Sequence, residues 1–307
     1  MLRIAHVSDL HVLSPAGVEW RRILLNKRIT GHVNLVVRRN RVYRREYLLT
    51  VLAHAAARAD QVVVTGDITN LSLESEYRAA RALLDDVART AEVTVIPGNH
   101  DIYLPAVLRE RDFVRHFAPF LQSDLPELAR DLEAGRFPCV KLRGPVALIA
   151  LTSAVPRPPF VSAGYLGHEQ LAALQSVLAH PEVARRTSVL LIHHPPVDHR
   201  ARFVRLRDGL VDDVPFRRSV AGLARGLVLY GHIHERERRV LATEAGALDV
   251  VSASGAALDD PRASVRAGFN LYTIGDDGAI ASVEAWMVDE SGRAVTQAAI
   301  VDRRRRP

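Results

Sequence analysis

The stretch VLLIHHPPV, residues 189–197, carries an apolar, strand-forming run straight into two histidines and two prolines. Successive side chains of a strand point to opposite faces, so His193 and His194 do not easily serve one centre. The same kind of ending recurs along the chain. LRIAHVS at 2–8 leads into SDLH, with Asp9 and His11. QVVVTG at 61–66 leads into Asp67 and Asn70, and VTVIPG at 93–98 into Asn99, His100 and Asp101. GLVLYG at 226–231 leads into His232 and His234. Five strand candidates thus deliver carboxylate, amide and imidazole groups to their carboxyl ends, where ligands bind in open α/β sheets.

Between these runs and a sixth, VALIALT at 146–152, lie helix-like stretches at 45–58, 75–90 and 168–180. That alternation predicts an α/β fold with helices covering sheet faces. From 240 to 300 short strands with Gly and Asp-Gly turns predict an added antiparallel sheet and no helix. With no repeat and no long linker, residues 1–300 read as one domain, followed by a basic tail at 301–307.

Composition narrows the chemistry. The 307 residues are 48% apolar, enough for a substantial core. A single cysteine, Cys139, excludes an intramolecular disulfide and a cysteine-built metal site. The start of the chain lacks a signal-peptide pattern, and no apolar run nears the roughly 18 residues that span a bilayer. A cytoplasmic protein is the expectation, and one peripheral to a membrane is compatible with it. The net charge of +6 is unevenly spread. The segment 17–45 holds nine Lys and Arg between Arg21 and Arg45, interleaved with Trp20, Ile23, Leu24, Leu25 and Ile29. Two readings stand: a helical pair packed near the site, or an amphipathic grip on an acidic membrane surface or lipid substrate. Arg303 to Arg306 form a second basic cluster.

Oxygen and nitrogen donors without thiolates suit Mn, Fe, Zn or Co rather than Ca. In an extended segment Asp9 and His11 would project to the same side, as would His232 and His234. Glycines beside Asp67, Asn99 and His232 would let the backbone approach the ions. His6, His54, His116 and His180 read as structural, with His168 and His199 as candidates for the pocket edge.

In order, SDLH, GD, GNHD, H and GHIH resemble the signature of the calcineurin-like metallophosphoesterase superfamily over roughly residues 1–240. The resemblance implies an αββα sandwich with two mixed sheets and a dinuclear centre of two divalent metal ions. It implies that Asp9, His11 and His234 hold one ion, that Asn99, His193 and His232 hold the other, and that Asp67 bridges them. The family's histidine stands two residues before a proline, as His193 does before Pro195; His194 then packs or touches the pocket rim. Two dications against two carboxylates leave a positive surplus that favours a bridging hydroxide as nucleophile and an anionic phosphoryl oxygen. His100 is expected as a charged donor or general acid, with Asn70 at the position of its supporting partner.

GNHD together with HHPP is most similar to the phosphodiesterase branch, including class III cyclic nucleotide phosphodiesterases. The expected substrate is a small-molecule phosphoester, a diester of cyclic nucleotide or glycerophosphodiester type. The alternatives are a lipid-linked nucleotide pyrophosphate at the membrane surface, then DNA as an exonuclease, and last a non-catalytic binding scaffold.

Overall fold

The computed structural model describes residues 1–13, 43–198 and 200–304. Thus 17–42, and with it most of the basic segment, lies outside the described residues, as do His199, Arg305 and Arg306. The strands are β1 (Leu2–Val7), β2 (Gln61–Val64), β3 (Glu92–Val95), β4 (Arg130–Leu132) and β5 (Gly135–Phe137). There follow β6 (Cys139–Arg143), β7 (Val146–Ala150), β8 (Thr187–Leu191), β9 (Gly226–Tyr230) and β10 (Glu237–Ala242). The series closes with β11 (Ala247–Ser252), β12 (Gly268–Ile274), β13 (Ile280–Val288), β14 (Val295–Ala298) and β15 (Val301–Asp302).

The helices are α1 (Arg45–Ala56), α2 (Glu74–Val87), α3 (Pro105–Arg109) and α4 (Asp112–Phe117). After β7 come α5 (His168–Ala179), α6 (Pro181–Ala184), α7 (Arg202–Asp208) and α8 (Asp213–Ser219). The three long helices match the stretches expected from sequence, with α2 starting one residue earlier, at Glu74.

Two mixed sheets stack face to face. One runs β14-β13-β12-β1-β2-β3, the other β15-β10-β11-β9-β8-β7-β6, and β4 and β5 form a separate hairpin. The alternation of strand side chains builds both the layer between the sheets and the layers outside them. Ile4, Val63, Val189, Leu191, Leu227 and Leu229 meet between the sheets. Their neighbours Val62 and Val64 turn outward onto Leu48, Val51, Tyr77 and Leu84 of α1 and α2. On the far side Leu190, Ile192 and Val228 pack on Leu171, Leu174 and Val177 of α5 and Phe216 of α8. The four layers αββα follow. Strands β7, β8 and β9 are buried at every residue, which is why β7 and β9 read as unbroken apolar runs, while β8 opens with buried Thr187 and Ser188.

The last part of the chain differs from the expected added sheet. β12 pairs antiparallel with β1 and extends the first sheet through β13 and β14. β11 pairs parallel with β9 and extends the second through β10. The short alternating strands give strand type correctly, but nothing local in them marks which sheet edge each completes.

A polar clamp joins the sheets at the edge away from the strand ends. Glu92 of β3 accepts from Arg143 Nε at 2.6 Å and Nη2 at 2.7 Å, and Lys141 Nζ donates to the Val93 carbonyl at 2.7 Å. The paired guanidinium holds the Glu92 carboxyl down at about 2, against a smaller opposing effect of burial.

Candidate metal centre

β1, β2, β3, β8 and β9 all end at the same side of the sandwich, and the loops that follow are bonded to one another through the main chain. Asp9 N donates to Gly66 O at 3.0 Å and His11 N to Asp67 O at 3.0 Å. Gly231 N donates to His193 O at 3.1 Å, which ties the two second-sheet loops together. Asp9, His11, Asp67 and His193 are buried; His232 and His234 are partly exposed.

The i, i+2 pairs do converge, but not by extended geometry. Asp9, His11, Asp67, His232 and His234 all sit in the left-handed region, at φ of 52°, 45°, 50°, 70° and 55°. β1 stops at Val7, so the chain must curl back over the strand end rather than run on. Such a conformation costs of order 1–3 kcal/mol per non-glycine residue. Asp and His are among the residues that tolerate it best. Likewise β8 stops at Leu191, so strand alternation does not separate His193 from His194.

Glycines supply the close approach. A Cβ on Gly66, itself at φ +94°, would stand 2.7 Å from His193 Nδ1. One on Gly98 would collide with Asp67, and one on Gly231 with Ser8 and Asp9.

Ligand-capable atoms of Asp9, His11, Asp67 and His234 lie within 4.8 Å of one another. His234 Nε2 is 3.1 Å from Asp9 Oδ1 and 3.3 Å from His11 Nε2, and His11 Nε2 is 4.0 Å from Asp67 Oδ2. On the other side Asn99 Oδ1 lies 3.1 Å from His193 Nε2 and 3.0 Å from His232 Nδ1. Asp67 Oδ1 is 3.4 Å from His193 Nε2, so its two oxygens face the two groups. The donor set fits a pair of divalent cations. His193 Nδ1 donates to the Thr65 carbonyl at 2.7 Å, which leaves the Nε2 lone pair facing inward.

The electrostatics point the same way. Burial opposes ionisation of Asp67, yet His193, His100 and His11 hold its carboxyl well below the usual range. Burial likewise opposes a charge on His193, but Asp67 and then Asp9 raise it to about 9. Burial and then His193 push His232 down to about 4.

His194 is close in space to His193 and His232, with ring centroids 4.9 and 4.7 Å away. Both its nitrogens are engaged elsewhere: Nδ1 accepts from Ser153 Oγ at 2.7 Å and Nε2 donates to the Ser162 carbonyl at 2.7 Å. Burial, and then the neighbouring His232, keep it neutral.

His100 Nδ1 donates to the main-chain carbonyl of Asn70 at 2.6 Å. A backbone acceptor imposes no residue type, so the identity of residue 70 says nothing about this contact. The His100 amide donates to Asp67 Oδ1 at 2.8 Å, and its ring stands edge-on to His11 with centroids 5.0 Å apart.

Sequence reasoning assigned no specific role to several residues here. Asp101 is fully buried and accepts from the Gly98 amide at 2.9 Å, from Ile68 at 3.1 Å and from Thr69 at 2.7 Å, so it stitches the β2 loop to the β3 loop. Burial, and then Asp67, push its carboxyl up to about 7, while those amides pull it down. Tyr103 stacks on His100 with centroids 5.7 Å apart. Tyr43 Oη lies 3.4 Å from His234 Nδ1, at the end of the segment whose charges had drawn attention instead. A cavity of about 330 Å³ opens above Asp67, Asn99, His100, His232 and His234, and Ser162, Arg200 and Asp208 form its other side. No motif marks those three. Asp198 takes the Arg200 guanidinium in a two-bond grip at 2.9 and 2.6 Å.

The histidines read as structural have ordinary partners. His6 is buried against Thr65, His116 meets Glu74, His54 meets Arg58, and His180 caps α6. His168 opens α5 and does not line the cavity.

Solved structures share the architecture. A purple acid phosphatase from yellow lupin (Lupinus luteus) seeds superposes with a TM-score of 0.61 at 12% identity, over 99% of this chain and 54% of its own. A dimetal phosphatase from Danio rerio gives 0.56 at 14% identity, over 98% and 97%. These likenesses concern the fold. In sequence, a cAMP/cGMP dual specificity phosphodiesterase of Mycobacterium tuberculosis is 27% identical over 236 residues, 75% of this chain and 61% of that protein. A protein of Rhodococcus erythropolis named "probable cyclic nucleotide phosphodiesterase" is 29% identical over 201 residues, 62% of this chain and 56% of that one. The chain thus spans about three fifths of the length of these curated relatives. The calcineurin-like phosphoesterase model matches residues 2–236, which include every candidate ligand above, and the chain belongs to that family.

Proposed function

We propose that this chain is a metal-dependent phosphoester hydrolase whose substrate is a small-molecule phosphodiester, of cyclic nucleotide or glycerophosphodiester type. The observation that carries the reading is the convergence of seven donor residues from five strand ends into two groups that share Asp67. In this reading Asp9, His11 and His234 hold one divalent ion, Asn99, His193 and His232 the other, and Asp67 joins them. When bound, such a pair activates water and polarises phosphoryl oxygens.

The chain's own residues do the rest. The Thr65 carbonyl fixes the tautomer of His193 and aims Nε2 inward. The Asn70 carbonyl holds the proton of His100 at Nδ1, so that Nε2 is the nitrogen able to carry a second proton toward a leaving oxygen. Asp9 and Asp67 supply two buried negative charges, fewer than two dications bring, and the surplus favours an anionic phosphoryl group. The cavity of about 330 Å³ is at the small end of ligand pockets, as a small diester requires. The names of the two curated relatives support the diester class.

A screen of the metal-reconstituted protein tests this. Bis(p-nitrophenyl) phosphate, cyclic nucleotides and glycerophosphodiesters should be hydrolysed in preference to p-nitrophenyl phosphate, and chelation should abolish turnover. Preference for the monoester would move the chain to a phosphatase reading, and no turnover with two ions bound would favour a scaffold.

A further inference from the structure

Among the described residues, nine large apolar side chains stand exposed, and six of them fall in two short segments. Phe160 and Tyr165 lie in one; Phe203, Leu206, Val211 and Val214 lie in the other. The concentration is not an accident of chain order, because the segments are bonded side by side. Ser162 N donates to Arg207 O at 2.9 Å, Gly164 N to Gly209 O at 2.9 Å, and Val211 N to Gly164 O at 3.0 Å. The same two segments contribute Ser162, Arg200 and Asp208 to the cavity above the candidate metal centre. The apolar side chains and one side of the cavity are therefore carried by the same two segments.

Phe160 is 83% exposed and Phe203 73%. Phe160 also sits at φ 66°, a conformation that is a genuine outlier for a bulky side chain. Water is a poor solvent for both rings, and patches of this kind mark interaction surfaces. Four arginines and four aspartates lie within 198–214. The aspartates are all engaged: Asp198 with Arg200, Asp208 with Arg207, Asp213 with Arg217, and buried Asp212 with the Leu166 and Gly167 amides. The exposed Arg202 and Arg205 are left to set the sign of the rim.

We propose that this rim is a docking surface for an anionic lipid bilayer. Phe160, Phe203 and Leu206 enter the interface while Arg202 and Arg205 meet acidic headgroups. A second copy fits less well, because a symmetric contact would set the like-charged arginines of one patch against those of the other. Single-stranded nucleic acid fits less well too. Leu206, Val211 and Val214 are aliphatic and offer no face on which a base stacks. Seated in this way, the cavity mouth would open at the headgroup level.

The test uses the full chain and sedimentation with vesicles of phosphatidylcholine, alone or mixed with phosphatidylglycerol. The protein should pellet with the mixed vesicles at low salt and scarcely with phosphatidylcholine alone. Phe160→Asn, Phe203→Ser and Leu206→Ser together should lower the partition coefficient about tenfold or more, as expected when apolar side chains leave the interface. Arg202→Gln with Arg205→Gln should remove the preference for the acidic lipid. Hydrolysis of bis(p-nitrophenyl) phosphate should be unchanged in both variants, which also shows that they fold. A wild type that stays in the supernatant with both vesicle types would overturn the proposal. So would a triple variant that pellets like the wild type, or Phe203-dependent binding of single-stranded DNA without vesicle binding.

Discussion

One side of the cavity hangs from strand ends and the other from two loop segments, and they are held by different means. Asp67, Asn99, His232 and His234 sit on loops cross-bonded amide to carbonyl, with Asp101 buried among them as a common acceptor. Ser162, Arg200 and Asp208 sit on segments bonded chiefly to each other. Their tie to the metal side runs through His194, whose ring spans from Ser153 to the Ser162 carbonyl. A Cβ on Gly164 would collide with that ring, so the loop is moulded onto it. The contrast teaches a division of labour: the strand ends set the chemistry, and the loop side sets what is presented to it.

Mutations can break that comparison. The largest effect is expected from Asp67→Ala, which removes an oxygen from each of the two groups. Its kcat/KM for a diester should fall by more than the roughly 100-fold that loss of an outer supporting partner costs. His193→Ala should lower metal content as well, and elemental analysis of the variants checks both. Next, His100→Asn should retain both ions yet lower the rate by about 10²–10⁴-fold, the range for a lost general acid. The deficit should shrink with a p-nitrophenolate leaving group, which needs little protonation; a steady-state comparison of leaving groups reads this.

His194→Ala sharpens the comparison. It should keep the metal content of the wild type and lose about tenfold in kcat/KM, chiefly through KM, because it loosens the loop side and not the ion ligands. Metal loss equal to that of His193→Ala would show that the two sides are not separable.

The smallest effect concerns the far edge of the sandwich. The Glu92 carboxyl is held below its ordinary 4.5, so its pairing with Arg143 stabilises the fold above that pH and is lost as pH falls toward about 2. Glu92→Gln should therefore cost no more than about 1 kcal/mol at neutral pH, since the pair is partly solvated. The difference from wild type should vanish between pH 4.5 and 2 in denaturant titrations of the metal-free proteins.

The two sides were not equally legible in the sequence. Residues 62–64, 146–150 and 226–230 announce themselves because burial on both faces forces unbroken apolar runs. The candidate ligands announce themselves because they follow such runs, with a glycine beside Asp67, Asn99 and His232 where close packing demands it. The left-handed turns at Asp9 and His232 were not foreseen, because they depend on where pairing stops, which β12 and neighbouring loops decide. Helices of five to seven residues, such as α7 and α8, are too short to show a period. Asp208 ends α7, Ser162 and Arg200 lie in irregular loops, and Tyr43 acts through an approach to His234 across 191 residues of chain. Asn70 shows the converse, a residue singled out by its type whose main chain makes the contact.

Metal titration of the chelated protein, with elemental analysis and turnover of bis(p-nitrophenyl) phosphate followed together, tests the central claim most directly. The account predicts two divalent ions per chain and turnover that reaches its maximum only as the second binds. Full turnover with one ion or none would contradict it.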